Sequence, residues 1–475
     1  MTELLSPAGT LKSMRYAYAY GADAVYVGQP RYSLRVRNNE FNRIENLAAA
    51  VSEAHQIGKK VYVASNVQPH NDKVRSYLRD MQEVIDMRPD ALIMSDPGLI
   101  MLVREEWPDI PIHLSVQANA VNWAAVKFWQ NYGLSRVILS RELSLDEVEN
   151  IRQQCPDIEL EVFVHGALCI AYSGRCLLSG YMSHRDPNQG ACTNSCRWKY
   201  QTHEATETET GDIVAVDPEI KQRMERESNK TIGLSGNSPL EKSITGEWDP
   251  GSSEHSPAFL LQEENRPGEY MPAYEDEHGT YIMNSRDLRA VQHVKRLVEM
   301  GVDSLKIEGR TKSHYYVATT AQVYRRAIED AKAGKEFNWE LFNQLDHLAN
   351  RGYTEGFYRR HTPAEMQNYE RGHSANLNQQ YVGDVTAVSN DNQSLTIEVK
   401  NKFRLQDKLE LITPHGNVTF QLDSLKKLDG EKIDVAPGSG HTVTIPLPEQ
   451  IALSSDGSKA LLMRYLEPQT AVEYA

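Results

Sequence analysis

Cysteine is scarce, with five residues in a chain of 475. So few thiols in so long a chain exclude a disulfide-built scaffold of the secreted kind. Long apolar runs are missing as well: none approaches the roughly 18 residues that a membrane-crossing helix needs. The opening Met1-Thr2-Glu3-Leu4-Leu5-Ser6-Pro7 has no cationic segment ahead of an apolar stretch, so no signal peptide is read. The expected address is the cytoplasm, with no membrane partner. Two hydrolase signatures are absent too. There is no G-x-S-x-G elbow, and His203-Glu204 is followed by Glu207 where a zinc protease motif needs its second histidine.

What is present is an ordinary globular composition, 40% apolar and 24% charged, long enough for two or three domains. The net charge of −14 argues at first against a polyanionic partner. Its distribution changes that reading. Residues 203–278 hold 18 acidic against 6 basic residues, a net −12, which leaves −2 for the rest of the chain. Residues 203–268, rich in Glu, Ser, Thr, Gly and Asn, read as an acidic insertion that is partly disordered.

Outside the insertion, short apolar strands alternate with longer amphipathic helices. Strands are expected at 3–6, 24–27, 61–66, 91–95, 112–116, 136–140, 160–164 and 304–308. Helical periodicity returns at 285–300, opened by Ser285 as N-cap, and at 315–333. Several strands end in polar or turn residues, such as Ser65-Asn66, Gln117-Ala118-Asn119, Ser140-Arg141-Glu142 and Glu308-Gly309-Arg310. Eight strands with polar C-terminal ends point to an α/β fold of the (β/α)8 barrel type, the doubly wound sheet being the alternative. The expected organisation is a catalytic barrel over 1–345, a connecting segment over 346–379, and a small all-β barrel over 380–466.

Four of the five cysteines fall within 28 residues: Cys169, Cys176, Cys192 and Cys196, with six, fifteen and three residues between them. Four thiolates are a ligand set for a [4Fe–4S] cluster, and soft sulfur favours iron–sulfur or zinc over hard cations. The tight paired spacing of structural zinc is not found. The plain alternative is that cysteine fills core space, and Cys155, before Pro156, is read that way.

At this segment the chain resembles the peptidase U32 family. Glu161, Phe163, Gly166, Ala167, Cys169, Gly174, Cys176 and Ser179 match its signature; Asn284 to Leu288, Lys306 to Ser313 and Arg351 to Phe357 look like further family blocks. The resemblance implies a barrel-like catalytic domain, a C-terminal β-barrel, and a [4Fe–4S] cluster on Cys169, Cys176, Cys192 and Cys196. It further implies formation of 5-hydroxyuridine at the wobble position of tRNA, with prephenate as a required metabolite. Other members act on ribosomal RNA, and the family label itself leaves a collagenase-like peptidase as the alternative.

Candidate site residues follow from strand ends and charge. His165, Arg141 and Glu308 are the catalytic candidates, His165 as an acid or base near neutral pH. Asn66, Gln117, Lys306, Arg310 and Lys312 are candidates for substrate binding, the cations suiting phosphates or a dicarboxylate. Arg359, Arg360, Lys400, Lys402 and Arg404 are the candidate RNA contacts, with Phe403 interleaved as a stacking surface. A solvated face and ordinary turn amides are the bland readings of these groups. An electron donor is a further expected partner.

Overall fold

A computed structural model describes residues 2–34, 39–168, 287–348, 352–359, 379–389, 391, 393–448, 453 and 459–466, and the backbone of five strands between 200 and 280. The eight strands expected from the pattern form a closed parallel barrel. They are β1 (Glu3–Pro7), β2 (Ala24–Gly28), β3 (Lys60–Ser65), β4 (Ala91–Met94), β5 (Ile112–Leu114), β6 (Arg136–Ile138), β7 (Glu159–Ala167) and β8 (Ser304–Ile307). Neighbours pair in chain order, and β8 closes the ring by pairing with both β1 and β7. The doubly wound alternative is thereby excluded.

The helices between strands follow from local chemistry. Thr10, Asp96, Asn122, Ser144 and Ser313 each accept a backbone N–H at a helix start, which satisfies donors that would otherwise be orphaned. Ser144 and Glu147 complete a reciprocal capping box. The longest helix among the described residues, α8 (His314–Lys332), buries twelve residues against the barrel wall, among them Tyr316 and Tyr324.

The segment over 285–300 departs from expectation. Asp287–Arg289 is a strand, antiparallel to the end of β7, and the helix is only Val294–Glu299. Helical periodicity there lost to tertiary pairing. The long strand β7 runs past its barrel partner, and its free edge is taken by Asp287, Leu288 and Arg289, with Tyr353–Thr354 paired beyond them.

The acidic insertion carries strands as well. Strands at Tyr200–Glu207, Ile213–Ala215, Ala258–Glu263, Tyr270–Asp276 and Gly279–Thr280 form an antiparallel sheet that belongs to a separate compact unit. Its apolar runs, such as Ala258 to Leu261, are short and followed by acidic residues, so they barely register against the composition of the segment. Residues 216–257 lie outside the described residues.

From Gln379 the chain is an antiparallel all-β region. Gln379–Val388 is its central strand, flanked by Ser394–Val399 and Leu461–Tyr465. It has its own core, including Val382, Ile397, Phe403, Leu411 and Val443. It shares a compact unit with the barrel. Asp384, buried at the junction, accepts from Lys12 at 2.5 Å, His314 at 2.7 Å and the Tyr381 hydroxyl at 2.5 Å.

Candidate active site

The barrel interior carries charge where branched apolar side chains usually fill layers. Arg136, on the first residue of β6, donates to Glu3 at 2.7 Å and to Glu161 at 3.0 Å. Lys306 of β8 donates to the other oxygen of Glu161 at 2.8 Å. Glu161 is fully buried, and Arg136, Lys306 and Glu3 are 2%, 3% and 8% exposed. Burial works against the Glu161 charge, but Lys306 and Arg136 outweigh it and hold the carboxyl below its usual range. Burial pushes the Lys306 ammonium below the ordinary lysine value, with Glu161 opposing. Lys306 therefore lies inside the barrel, 4.4 Å from the Tyr26 ring centre, and is no loop cation for an incoming phosphate.

Above this layer the C-terminal strand ends converge. Arg141, after β6, pairs with Glu308, after β8, at 3.4 Å, and its guanidinium lies 3.8 Å over the Phe163 ring. The Tyr26 hydroxyl donates to the Ile307 carbonyl at 3.0 Å and meets Glu308 at 3.4 Å. Arg310 donates to Ser33 at 2.8 Å and its guanidinium lies 5.5 Å from the Tyr26 ring centre. On the far side of the mouth, Asn66 donates to Gln117 at 3.0 Å and to Ser115 at 3.3 Å.

Gly28 is what lets Arg310 reach this place. A Cβ there would stand 2.7 Å from the Arg310 guanidinium and 2.8 Å from both Asn39 and Ser33. Gly28→Ala should cost about 1–3 kcal/mol by overpacking, measured by urea denaturation. An unchanged midpoint would show that the Arg310 seat yields without strain.

His165 sits elsewhere. The pairing of β7 with β8 shifts register between Lys306 and Ile307, and beyond that irregularity the His165 ring lies 5.5 Å from Tyr324 and 5.8 Å from Tyr316 of α8. Its Nδ1 faces the Tyr324 hydroxyl at 3.4 Å, and its Nε2 has no hydrogen-bond partner among the described residues. Burial lowers its pKa to about 3. Such an imidazole stays neutral at physiological pH, so the expected acid–base behaviour near neutrality does not fit this environment.

The other expected residues are dispersed. Lys312 lies 5.4 Å from the Tyr316 ring. Arg359 is exposed and pairs with Glu355 at 3.0 Å, while Arg360 lies outside the described residues. Lys400 pairs with Glu398, and Lys402 and Arg404 are exposed. Phe403 is fully buried in the β core and offers no face to a base. Cys169, Cys176, Cys192 and Cys196 lie outside the described residues, which end at Leu168 on this side. Among the described residues no cluster of three His, Cys, Asp or Glu is placed to hold a metal.

Tyr26, Ser33, Ser115, Arg136 and Phe163 were not singled out as site residues from sequence. Arg136 and Glu161 carried a signal, being charged residues inside otherwise apolar strands.

With the geometry in place, the comparisons decide the family. The model described as peptidase family U32 matches residues 9–368, and that of its C-terminal domain matches residues 377–456. The chain belongs to peptidase family U32. Among U32 relatives, the chain is 58% identical to the tRNA hydroxylation protein P of Escherichia coli, over 98% of both chains. It is 58% identical to the protein of that name in Haemophilus influenzae, over 98% of this chain and 96% of the relative. The 23S rRNA 5-hydroxycytidine C2501 synthase of Escherichia coli is 33% identical across 49% of this chain and 34% of that one.

Proposed function

We propose that this U32 protein hydroxylates tRNA, forming 5-hydroxyuridine at the wobble position. The observation that carries the reading is the 58% identity over 98% of both chains to a protein named for tRNA hydroxylation. The barrel mouth supports it, because paired cations and amides at strand ends suit a polar, anionic substrate. The peptidase label finds little support. Among the described residues no histidine ring is hydrogen-bonded to a serine, threonine or cysteine, so a nucleophile–base pair is absent there.

Replacing C5–H of uracil by C5–OH is a two-electron oxidation, which amino-acid side chains do not perform unaided. The proposed redox group is a [4Fe–4S] cluster on Cys169, Cys176, Cys192 and Cys196, whose four thiolates are the donor set such a cluster takes. When bound, the cluster supplies electron transfer. The chain leaves the C-terminal end of β7 at Leu168, one residue before Cys169. Prephenate, a dicarboxylate, is the proposed required metabolite, with Arg141 and Arg310 the fork-shaped cations at the mouth suited to carboxylates. tRNA and an electron donor are the proposed partners.

The test is mass spectrometry of tRNA nucleosides from a deletion strain, with anaerobic purification of the protein. The expected outcome is loss of 5-hydroxyuridine and its derivatives, restored by the intact gene but not by Cys176→Ser. The purified protein should carry about four iron and four sulfide per chain. Unchanged nucleosides, or a protein holding zinc in place of iron, would overturn the reading.

A further inference from the structure

The orientation of the amides at the barrel mouth is set by a one-way hydrogen-bond relay. The Leu34 backbone N–H can only donate, and it reaches Asn66 Oδ1 at 3.3 Å. That fixes the Asn66 carboxamide, so its Nδ2 faces Gln117 at 3.0 Å. A donor there requires Gln117 to present its oxygen, and the Ser115 hydroxyl donates to the same Oε1. Asn66 and Ser115 are 7% and 2% exposed, so water does not compete for these bonds. The Gln117 oxygen is doubly engaged and its Nε2 is left with two N–H groups. No acceptor for them occurs among the described residues, and the side chain is half-buried.

The location matters as much as the polarity. Asn66 follows β3 and Gln117 follows β5, with β4 between them in the barrel wall. Side chains two strands apart, about 9–10 Å by strand spacing, meet across the barrel axis, and these two, beyond the C-terminal ends of their strands, meet at the mouth. The turn is held there from both sides: Ser115 N donates to Met94 O at 2.6 Å, and Ser140 N donates to Ala120 O at 3.2 Å, one residue before Arg141. Asn119, left-handed at φ 51°, closes the short helical turn that carries Gln117.

We propose that Gln117 is a specificity-determining residue that donates a hydrogen bond to O4 of the target uracil, with Asn66 and Ser115 as positioning residues that lock its donor polarity. The inference rests on the uridine reading above. Uracil and cytosine both carry O2 and differ at positions 3 and 4; at position 4 uracil has a carbonyl oxygen and cytosine an amino group. A preset donor bonds to the first and leaves two donors facing each other with the second. O4 stands on the carbon next to C5, so the same bond orients the reacting edge.

The test uses the full-length protein and an anticodon stem-loop RNA carrying uridine or cytidine at the target position, with Kd measured for each and 5-hydroxyuridine measured in a complemented deletion strain. The wild type is expected to favour the uridine RNA by about 5- to 100-fold, the worth of one good base-edge contact. Gln117→Met, of similar shape and without polar atoms, should bring the two affinities within about threefold and lower modification. Asn66→Asp keeps the bond from Leu34 but removes the donor to Gln117, so the carboxamide turns over and preference shifts towards cytidine. Gln117→Glu, a small change on a half-exposed turn, gives the same direction should Asn66→Asp fold poorly.

Equal weakening of both RNAs by Gln117→Met would mean contact with phosphate or ribose and would overturn the inference. An unaltered ratio in Gln117→Met and Gln117→Glu overturns it as well, while the function stands if the wild type modifies uridine. A wild type that restores no 5-hydroxyuridine overturns the function itself.

Discussion

Methionine in place of Arg136 is expected to lower the unfolding free energy by about 3–5 kcal/mol, the cost of leaving a buried charge without its partner. Arg136 is the cation that Glu3 and Glu161 share, at 2.7 Å and 3.0 Å, inside the barrel. Glu161 has no water to turn to, being fully buried. Without Arg136 it keeps, among the described residues, Lys306 at 2.8 Å. Glu3 fares better, because the Tyr62 hydroxyl donates to it at 2.7 Å and Lys60 stands at 3.6 Å.

The comparison that isolates the charge is a joint replacement, Arg136→Met with Glu161→Leu and Lys306→Met. Swapping a buried ionic set for apolar groups of like volume is often neutral or stabilising. The triple variant should therefore recover most of the loss seen in Arg136→Met. Urea denaturation of the three proteins measures this. A single variant as stable as the wild type would mean that solvent reaches the layer and that its charges are not mutually dependent.

The same layer shows where sequence reading stops. All eight barrel strands were legible, because apolar runs such as Ala24 to Val27 and Ala91 to Met94 are short, continuous and separated by helical periodicity. The polar strand ends were legible as a mouth, and Asn66, Gln117, Arg141, Glu308 and Arg310 are indeed found at strand ends. What parity could not reveal was the irregularity between β7 and β8, which turns His165 towards the tyrosines of α8. Lys306, a substrate-binding candidate from its charge near a strand end, lies within Ser304–Ile307 and pairs across to Glu161. Phe403 looked like a stacking surface because cations flank it, but burial depends on partners such as Ala436 that are distant in sequence. Strand register and side-chain partners are tertiary facts, and a local pattern does not carry them.

Two buried histidines set the last expectation, a loss of stability as pH falls below about 6.5. Burial lowers the His165 pKa to about 3 and holds His113 well below its ordinary value. In the unfolded chain both titrate near 6.5. Between that pH and the folded value the unfolded state takes up a proton and the native state does not, so stability rises with pH across the window and is fully present above it. Each histidine contributes up to roughly 1.4 kcal/mol per pH unit. Glu161 and Asp384, both held low, act with the same sign but only as pH falls through the carboxylate range. Measurements between pH 7.5 and 5 therefore read the histidines with little carboxylate contribution. His165→Asn keeps a donor close to where Nδ1 meets Tyr324 at 3.4 Å and removes one titrating ring. Its unfolding free energy, followed by urea denaturation at each pH, should show a shallower slope than the wild type below pH 6.5, with His113, His293 and His347, also held low by burial, keeping part of it. An identical slope in the two proteins would mean that His165 takes up its proton in the native state, and that the tyrosine pocket of α8 is open to water.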